Sequence, residues 1–175
     1  MRTLCFFHLL IIIIFQSFSA YGAGKDTLSD VTGVAVIVDE LSASAVEDGL
    51  KKEDIKALVE SKLDKANIML LEERKWFEVF GGSYLLIKVI ASKSASADYY
   101  AVFLDVELYQ TVVLFGKKLG RNITTAAATW SVGKLLSCRT DGLKICVGTN
   151  LSELTDMFIE DYLSVNSGKA DKGQN

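Results

Sequence analysis

YYAVFLDVELYQTVVL, running from Tyr99 to Leu114, is the stretch that decides the fold. Val102, Leu104, Val106, Leu108, Val112 and Leu114 alternate there with Asp105, Glu107, Tyr109 and Thr111. Successive side chains of a strand point to opposite faces, so this is one long strand with an apolar face and a wet face. That alternation is expected of an antiparallel sheet covered on one side, with the other side solvated or holding a partner.

Working outward, four more apolar runs read as strands. They are Gly33 to Asp39 (GVAVIVD), Ile68 to Leu71, Tyr84 to Ser92, and Thr124 to Leu136 with its Trp130. Between the first two, Ile55, Leu58, Val59, Leu63 and Ala66 recur at helical spacing, which predicts a helix over about Lys51 to Ala66. Glu53 and Asp54 fall in its first turn, where the helix dipole favours negative charge. A second helix is expected from near Asn150, because Asn150 and Glu153 have capping-box spacing. Leu151, Leu154, Phe158 and Tyr162 would form its buried stripe. Glu72 to Gly82 is irregular, and Ser164 to Asn175 loses all periodicity and reads as a mobile tail. The resulting order, β-α-β-β-β-β-α, predicts an α+β domain over residues 33–163. Its sheet is mostly antiparallel with four to five strands, and two helices pack on one face.

The N-terminus carries a different message. Arg2 is followed by an apolar run from Leu4 to Phe15 and then by Gln16, Ser17 and Ser19, the three parts of a secretory signal peptide. The run is shorter than the roughly 20 residues that span a bilayer. Small residues allow a cut after Ser19 or after Gly22, so residues 1–22 are expected to be a signal peptide and 23–32 a polar lead. The mature chain is then exported, to the periplasm or beyond, with no transmembrane segment.

Removal of the leader narrows the chemistry. His8 is the single histidine of the chain, so the mature protein has no Ser-His-Asp triad, Cys-His pair or imidazole metal ligand. Lysine plus arginine falls from 19 to 18 against 22 acids, which speaks against nucleic acid as a partner. Cys138 and Cys146 remain, flanking an Asp141-Gly142 turn signal. In an exported protein they are expected to form a disulfide across a hairpin, with two separate buried thiols as the alternative. No motif calls for a cofactor or metal.

Two constellations bear on catalysis and one on modification. Ser131 and Lys134 have the spacing of Ser-x-x-Lys hydrolases, but on a strand they point to opposite faces. Asp105 and Glu107 share a strand face about 7 Å apart by strand rise, a separation compatible with glycoside hydrolysis but also with plain alternation on a wet face. Asn122 and Asn150 begin N-glycosylation triplets, with Asn150 better read as a helix cap. The aromatics are more suggestive. Trp76, Phe77, Phe80, Phe103 and Tyr109 are candidates for a partner or ligand surface, and Phe103 and Tyr109 share the wet face with the two acids. The alternative is that the segment from Trp76 to Phe80 folds over that face and buries them.

The mature chain resembles an uncharacterised family of small exported bacterial proteins. The likeness is carried by Gly33-Val34-Ala35-Val36, Tyr84-Leu85-Leu86-Ile87-Lys88-Val89, Val106-Glu107-Leu108-Tyr109-Gln110, Thr129-Trp130 and the closing Phe158-Ile159-Glu160-Asp161-Tyr162-Leu163-Ser164-Val165-Asn166. In layout it is also similar to the N-terminal domain of the translocation protein of the Tol–Pal system. These resemblances imply an envelope interaction module and bring no catalytic residue with them. The expected function is therefore a non-catalytic module binding an envelope protein through a sheet edge, such as that of Tyr99 to Leu114, or through the open sheet face. A carrier of a lipid or small apolar ligand is the alternative, and a hydrolase using Asp105 and Glu107 a third.

Overall fold

The computed structural model describes residues 19–21, 24–116 and 120–166. The expected leader falls outside these residues except for Ser19–Tyr21, which form a short strand, β1. The other strands are β2 (Gly33–Val38), β3 (Gly82–Lys93), β4 (Tyr99–Gly116) and β5 (Arg121–Arg139). Three helices accompany them: α1 (Ala43–Glu47), α2 (Lys52–Lys65) and α3 (Leu143–Asn166). The sheet order is β1-β5-β4-β3-β2, antiparallel throughout except for the parallel β2–β3 pair. The fold is α+β, with α2 and α3 packed together on one face of the sheet.

That face is where the alternation of β4 is spent. Val102, Leu104, Val106 and Leu108 are fully buried, as are Leu85 and Ile87 of β3 beside them. Val59 and Leu63 of α2 and Leu151, Leu154 and Phe158 of α3 close the core from above. Trp130 of β5 packs edge-on against Phe158, ring centroids 5.2 Å apart. Its indole N–H donates to the buried Asp161 carboxylate at 3.0 Å, so both polar groups are satisfied inside an apolar core. The lead is part of this core too. Lys25–Asp30 form a 3₁₀ turn that buries Leu28, and Val31 follows it inward. Asn166 and Tyr162 of α3 donate to the carbonyls of Leu28 and Val31.

Five expectations change. Ile68 to Leu71 is no strand: Val34 and Leu70 form a single bridge, flanked by bonds from Val34 N–H to Met69 and from Leu71 N–H to Val34. The run follows Asn67, held in the left-handed region at φ 56°, and is too short to continue a ladder. It serves to cover the outer edge of β2 instead. α3 begins at Leu143, a full two turns before Asn150, whose amide donates to the Cys146 carbonyl one turn back rather than capping anything. Cys138 and Cys146 are bonded, S–S 2.05 Å, but they tie the end of β5 to the first turn of α3, with Asp141 and Gly142 in a 3₁₀ turn between them. The helix also continues to Asn166, three residues into the expected tail, whose remainder lies outside the described residues.

The fifth change concerns the strand that decided the fold. β4 is not an edge: from Tyr100 to Gln110 it is paired on both sides. β3 stops at the Ser83–Gln110 pair, whereas the β4–β5 ladder runs on to Gly116–Arg121. Residues 111–116 and 121–126 are thus a two-stranded arm reaching past the sheet. Leu114, expected in the core, sits on this arm and is exposed because no β3 and no helix accompanies it. A bulge at Leu108/Tyr109, where Thr129 is the extra residue of β5, marks where the arm leaves the body.

Closing the short loop between Cys138 and Cys146 stabilises the domain by about 2–3 kcal/mol in the chain-entropy picture. Reduction, or the double change Cys138→Ala with Cys146→Ala, is expected to lower the unfolding free energy by that amount, seen as a lower urea midpoint. Unchanged midpoints with and without reductant would show that the bond contributes nothing to stability.

Candidate functional site

The uncovered face of the sheet collects most of the residues singled out by sequence. Register sets them in rows across the strands. Tyr84 lies opposite Tyr109; Leu86 opposite Glu107 and then Ser131; Lys88 opposite Asp105 and then Gly133; Ile90 opposite Phe103 and then Leu135. Among the described residues no helix packs over these rows. The face therefore has an aromatic end, an ionic middle and an aliphatic end.

At the aromatic end, a 3₁₀ turn at Trp76–Glu78 leans on the start of β3. Gly81 turns the chain at φ +70°, and Gly82 passes so near the Trp76 carbonyl that a Cβ would sit 2.0 Å from its oxygen. This close passage brings the Trp76 ring to 4.9 Å from Tyr84, which stacks on Tyr109 at 4.9 Å and nearly parallel. Phe77 meets Trp76 edge-on at 5.9 Å and is otherwise exposed, while Phe80 stands off at 94% exposure. The segment from Trp76 to Phe80 thus seals one end of the face and leaves the rest open. Phe103 belongs to the opposite end. Its ring lies over Gly133, where any Cβ would approach it to 2.9 Å, and it joins Ile90 and Leu135 in a flat apolar row. Ile90, Phe103 and Leu135 are 62%, 36% and 69% exposed.

The middle row holds the acids. Lys88 Nζ is 2.7 Å from Glu107 Oε2 and 3.7 Å from Asp105 Oδ2. Burial would raise Glu107, but hydrogen bonds from Lys88 and Tyr109, with the attraction of Lys88, hold its carboxyl below the ordinary value. Partial burial and the neighbouring Glu107 charge push Asp105 up, and Lys88 offsets this only in part. Burial lowers Lys88, yet its two carboxylate partners leave it raised overall. Lys88 lies between the two carboxyl groups and pairs with both. Their geometry is that of a lysine-bridged ion cluster, not of an acid and a nucleophile flanking a substrate. Ser131 faces this side while Lys134 lies on the other, paired with Glu153 of α3 at 2.8 Å, so no Ser-Lys dyad forms.

Cys138 and Cys146 sit at the far end of β5 and take no part in the face. Two described clefts lie elsewhere as well. One of about 490 Å³ is bounded by Lys56, Glu60 and residues 70–74, and one of about 80 Å³ lies between α2 and α3 near Leu58 and Gly148. Among the described residues no group of side chains is arranged to hold a metal ion, and no helix is long and apolar enough to cross a membrane.

Comparison with known proteins turns on this layout of sheet and helices. A leucine-to-methionine variant of PelC from Paraburkholderia phytofirmans, solved as a dodecamer, superposes with a TM-score of 0.50 over 79% of this chain and 95% of that one, at 14% identity. The chain shares its fold with PelC. A further PelC dodecamer structure from the same species gives 0.46 at 13% identity, over 86% of this chain and 98% of that one. No family model matches the sequence, and no curated protein matches it. The likeness to PelC is one of fold.

Two signals of the site escape sequence reading. Ile90 and Leu135 are unremarkable in their own strands, and only the pairing register aligns them with Phe103. The length difference between β3 and β4, which creates the arm, is likewise a property of the pairing.

Asp105 gives a test of the ionic row. Because its folded value is raised, the folded protein holds that proton more tightly than the unfolded chain does. Stability from this group is present below the ordinary carboxylate range and lost as pH rises through the raised value. Asp105→Asn keeps the hydrogen-bonding shape without the charge. It is expected to melt about 1–3 °C higher than the parent at pH 7, with the gap closing toward pH 4. A lower melting temperature at pH 7 would mean that Lys88 needs both acids.

Proposed function

We propose that this protein is exported to the cell envelope and acts there as a non-catalytic interaction module that assembles with further copies of itself through the open sheet face. The observation that carries the reading is the in-register row of Ile90, Phe103 and Leu135, exposed across three strands with no described helix above it. A contiguous apolar strip rimmed by polar residues is the surface expected of an association site. Glu107, Asp105 and Lys88 supply that rim on one side.

Four further points support it. The leader pattern of residues 1–22 favours export, and the Cys138–Cys146 bond suits an oxidising compartment. The carboxylates are both paired with Lys88, which favours binding over catalysis. The fold is that of a chain solved as a dodecamer, which makes a second copy the first partner to test. The sequence resemblances to exported proteins and to an envelope domain point the same way.

Sedimentation velocity over a range of concentrations tests the proposal. The parent protein is expected to sediment as an oligomer, and Ile90→Glu with Leu135→Glu to shift it to the monomer while the melting temperature moves little, since both side chains are exposed. A parent protein that stays monomeric at every concentration would overturn self-assembly.

A further inference from the structure

Phe103 ties the apolar strip of the open face to the ionic row beside it. Its ring lies across Gly133, and Gly133 is the β5 residue paired with Asp105. A surface seated on Ile90, Phe103 and Leu135 therefore comes to rest against Asp105 as well. The Asp105 side chain is only 15% exposed before anything docks there.

The charges of this row do not balance. Lys88 Nζ stands 2.7 Å from Glu107 Oε2 and 3.7 Å from Asp105 Oδ2, so one ammonium serves two carboxyl groups and favours Glu107. Among the described residues no other cation pairs with either acid. β5 meets the two acids with Ser131 and Gly133, neither of which carries charge. Tyr109, raised by its hydrogen bond to Glu107, and Tyr84, raised by burial, stay neutral phenols. Asp39, just past the end of β2, is exposed and accepts the Glu40 amide. Each copy is thus left with one negative charge that has no cation of its own, at the place where a docked surface would exclude water.

Burying an ionised carboxylate without a full partner is costly, and a carboxyl group so placed holds its proton instead. Two copies meeting face to face would also bring two such charges together. In the free chain Asp105 is already pushed up, first by partial burial and then by the Glu107 charge. Closing the face removes more water and acts in the same direction.

Resting on the reading of the open face as a self-association site, we propose that association through this face is regulated by pH, each copy taking up a proton at Asp105 as the face closes. The assembled form holds more protons than the free chains, so assembly strengthens as pH falls and weakens as pH rises through the raised carboxyl values. Lys88 sets the division of labour: by holding Glu107 ionised it leaves the proton to Asp105.

Sedimentation velocity over a range of concentrations, at about pH 4.5, 6 and 7.5, tests this. The association constant of the parent protein is expected to fall at least about fivefold from the lowest pH to the highest. Asp105→Asn is neutral throughout. It is expected to associate at the highest pH as tightly as the parent does at the lowest, and to vary less than about twofold across the range. Heats of dissociation on dilution, measured in two buffers of different ionisation enthalpy, count the proton directly, with proton release expected from the parent and none from Asp105→Asn. An oligomer whose strength does not change with pH would overturn the proposal and leave self-association standing. So would a pH dependence that survives in Asp105→Asn, because the proton would then be held elsewhere. A parent protein that is monomeric at all three pH values would overturn self-association and its regulation together.

Discussion

Val102, Leu104, Val106 and Leu108 are completely buried along one side of β4, and the side chains between them look out over a face that no described helix covers. A sheet in this position needs all of its apolar cover from one direction. α2 and α3 provide it together, and the last turns of α3 hold the 3₁₀ lead beneath them through Tyr162 and Asn166. The Trp130–Asp161 bond then ties the middle of β5 to the far part of α3. Removing the indole would take one hydrogen bond from a buried carboxylate, so this contact fixes how α3 lies as well as how tightly it packs.

Much of this architecture is legible in the sequence because it is written in side-chain periods. The period-two pattern of Tyr99 to Leu114 and the helical spacing of Ile55, Val59 and Leu63 place strand and helix correctly, and both helices lie on one face as that alternation requires. The misreadings have one kind of cause: a local signal overruled by a longer one. Asp141-Gly142 between two cysteines looks like a hairpin, yet Leu143, Val147, Leu151 and Leu154 already carry the helical stripe through the second cysteine. Ile68 to Leu71 has strand composition but too little length, and it becomes a cover for the edge of β2. The disulfide was readable as a pair and unreadable as a connection between strand and helix.

The candidate site shows a sharper limit. Phe103, Tyr109, Trp76 and Phe77 stand out by residue type, and the structure does put them on or beside the open face. It also divides them, with Tyr84 and Tyr109 stacked at one end and Phe103 at the other. Which residues become neighbours across strands depends on register, and register depends on where each strand stops. The two acids illustrate this. Seven ångströms of strand rise between them suggested room for a substrate, whereas Lys88, one strand over, draws their carboxyl groups together. Side chains lean together or apart, so spacing along the backbone does not set the separation of the groups at their ends.

β5 has one more property that follows from its anchorage. At 19 residues it is the longest strand, about 60 Å from end to end, joined covalently to α3 at Cys138 and ending in the arm at Arg121. A pull on the arm is therefore directed along the strand axis toward a fixed point. It loads the β3–β4 and β4–β5 ladders in shear, with their hydrogen bonds resisting together, where a pull across the strands would open them one at a time. Mechanically, the longest strand is rooted in the helical layer at one end, so force along its axis meets the ladder bonds together rather than in turn.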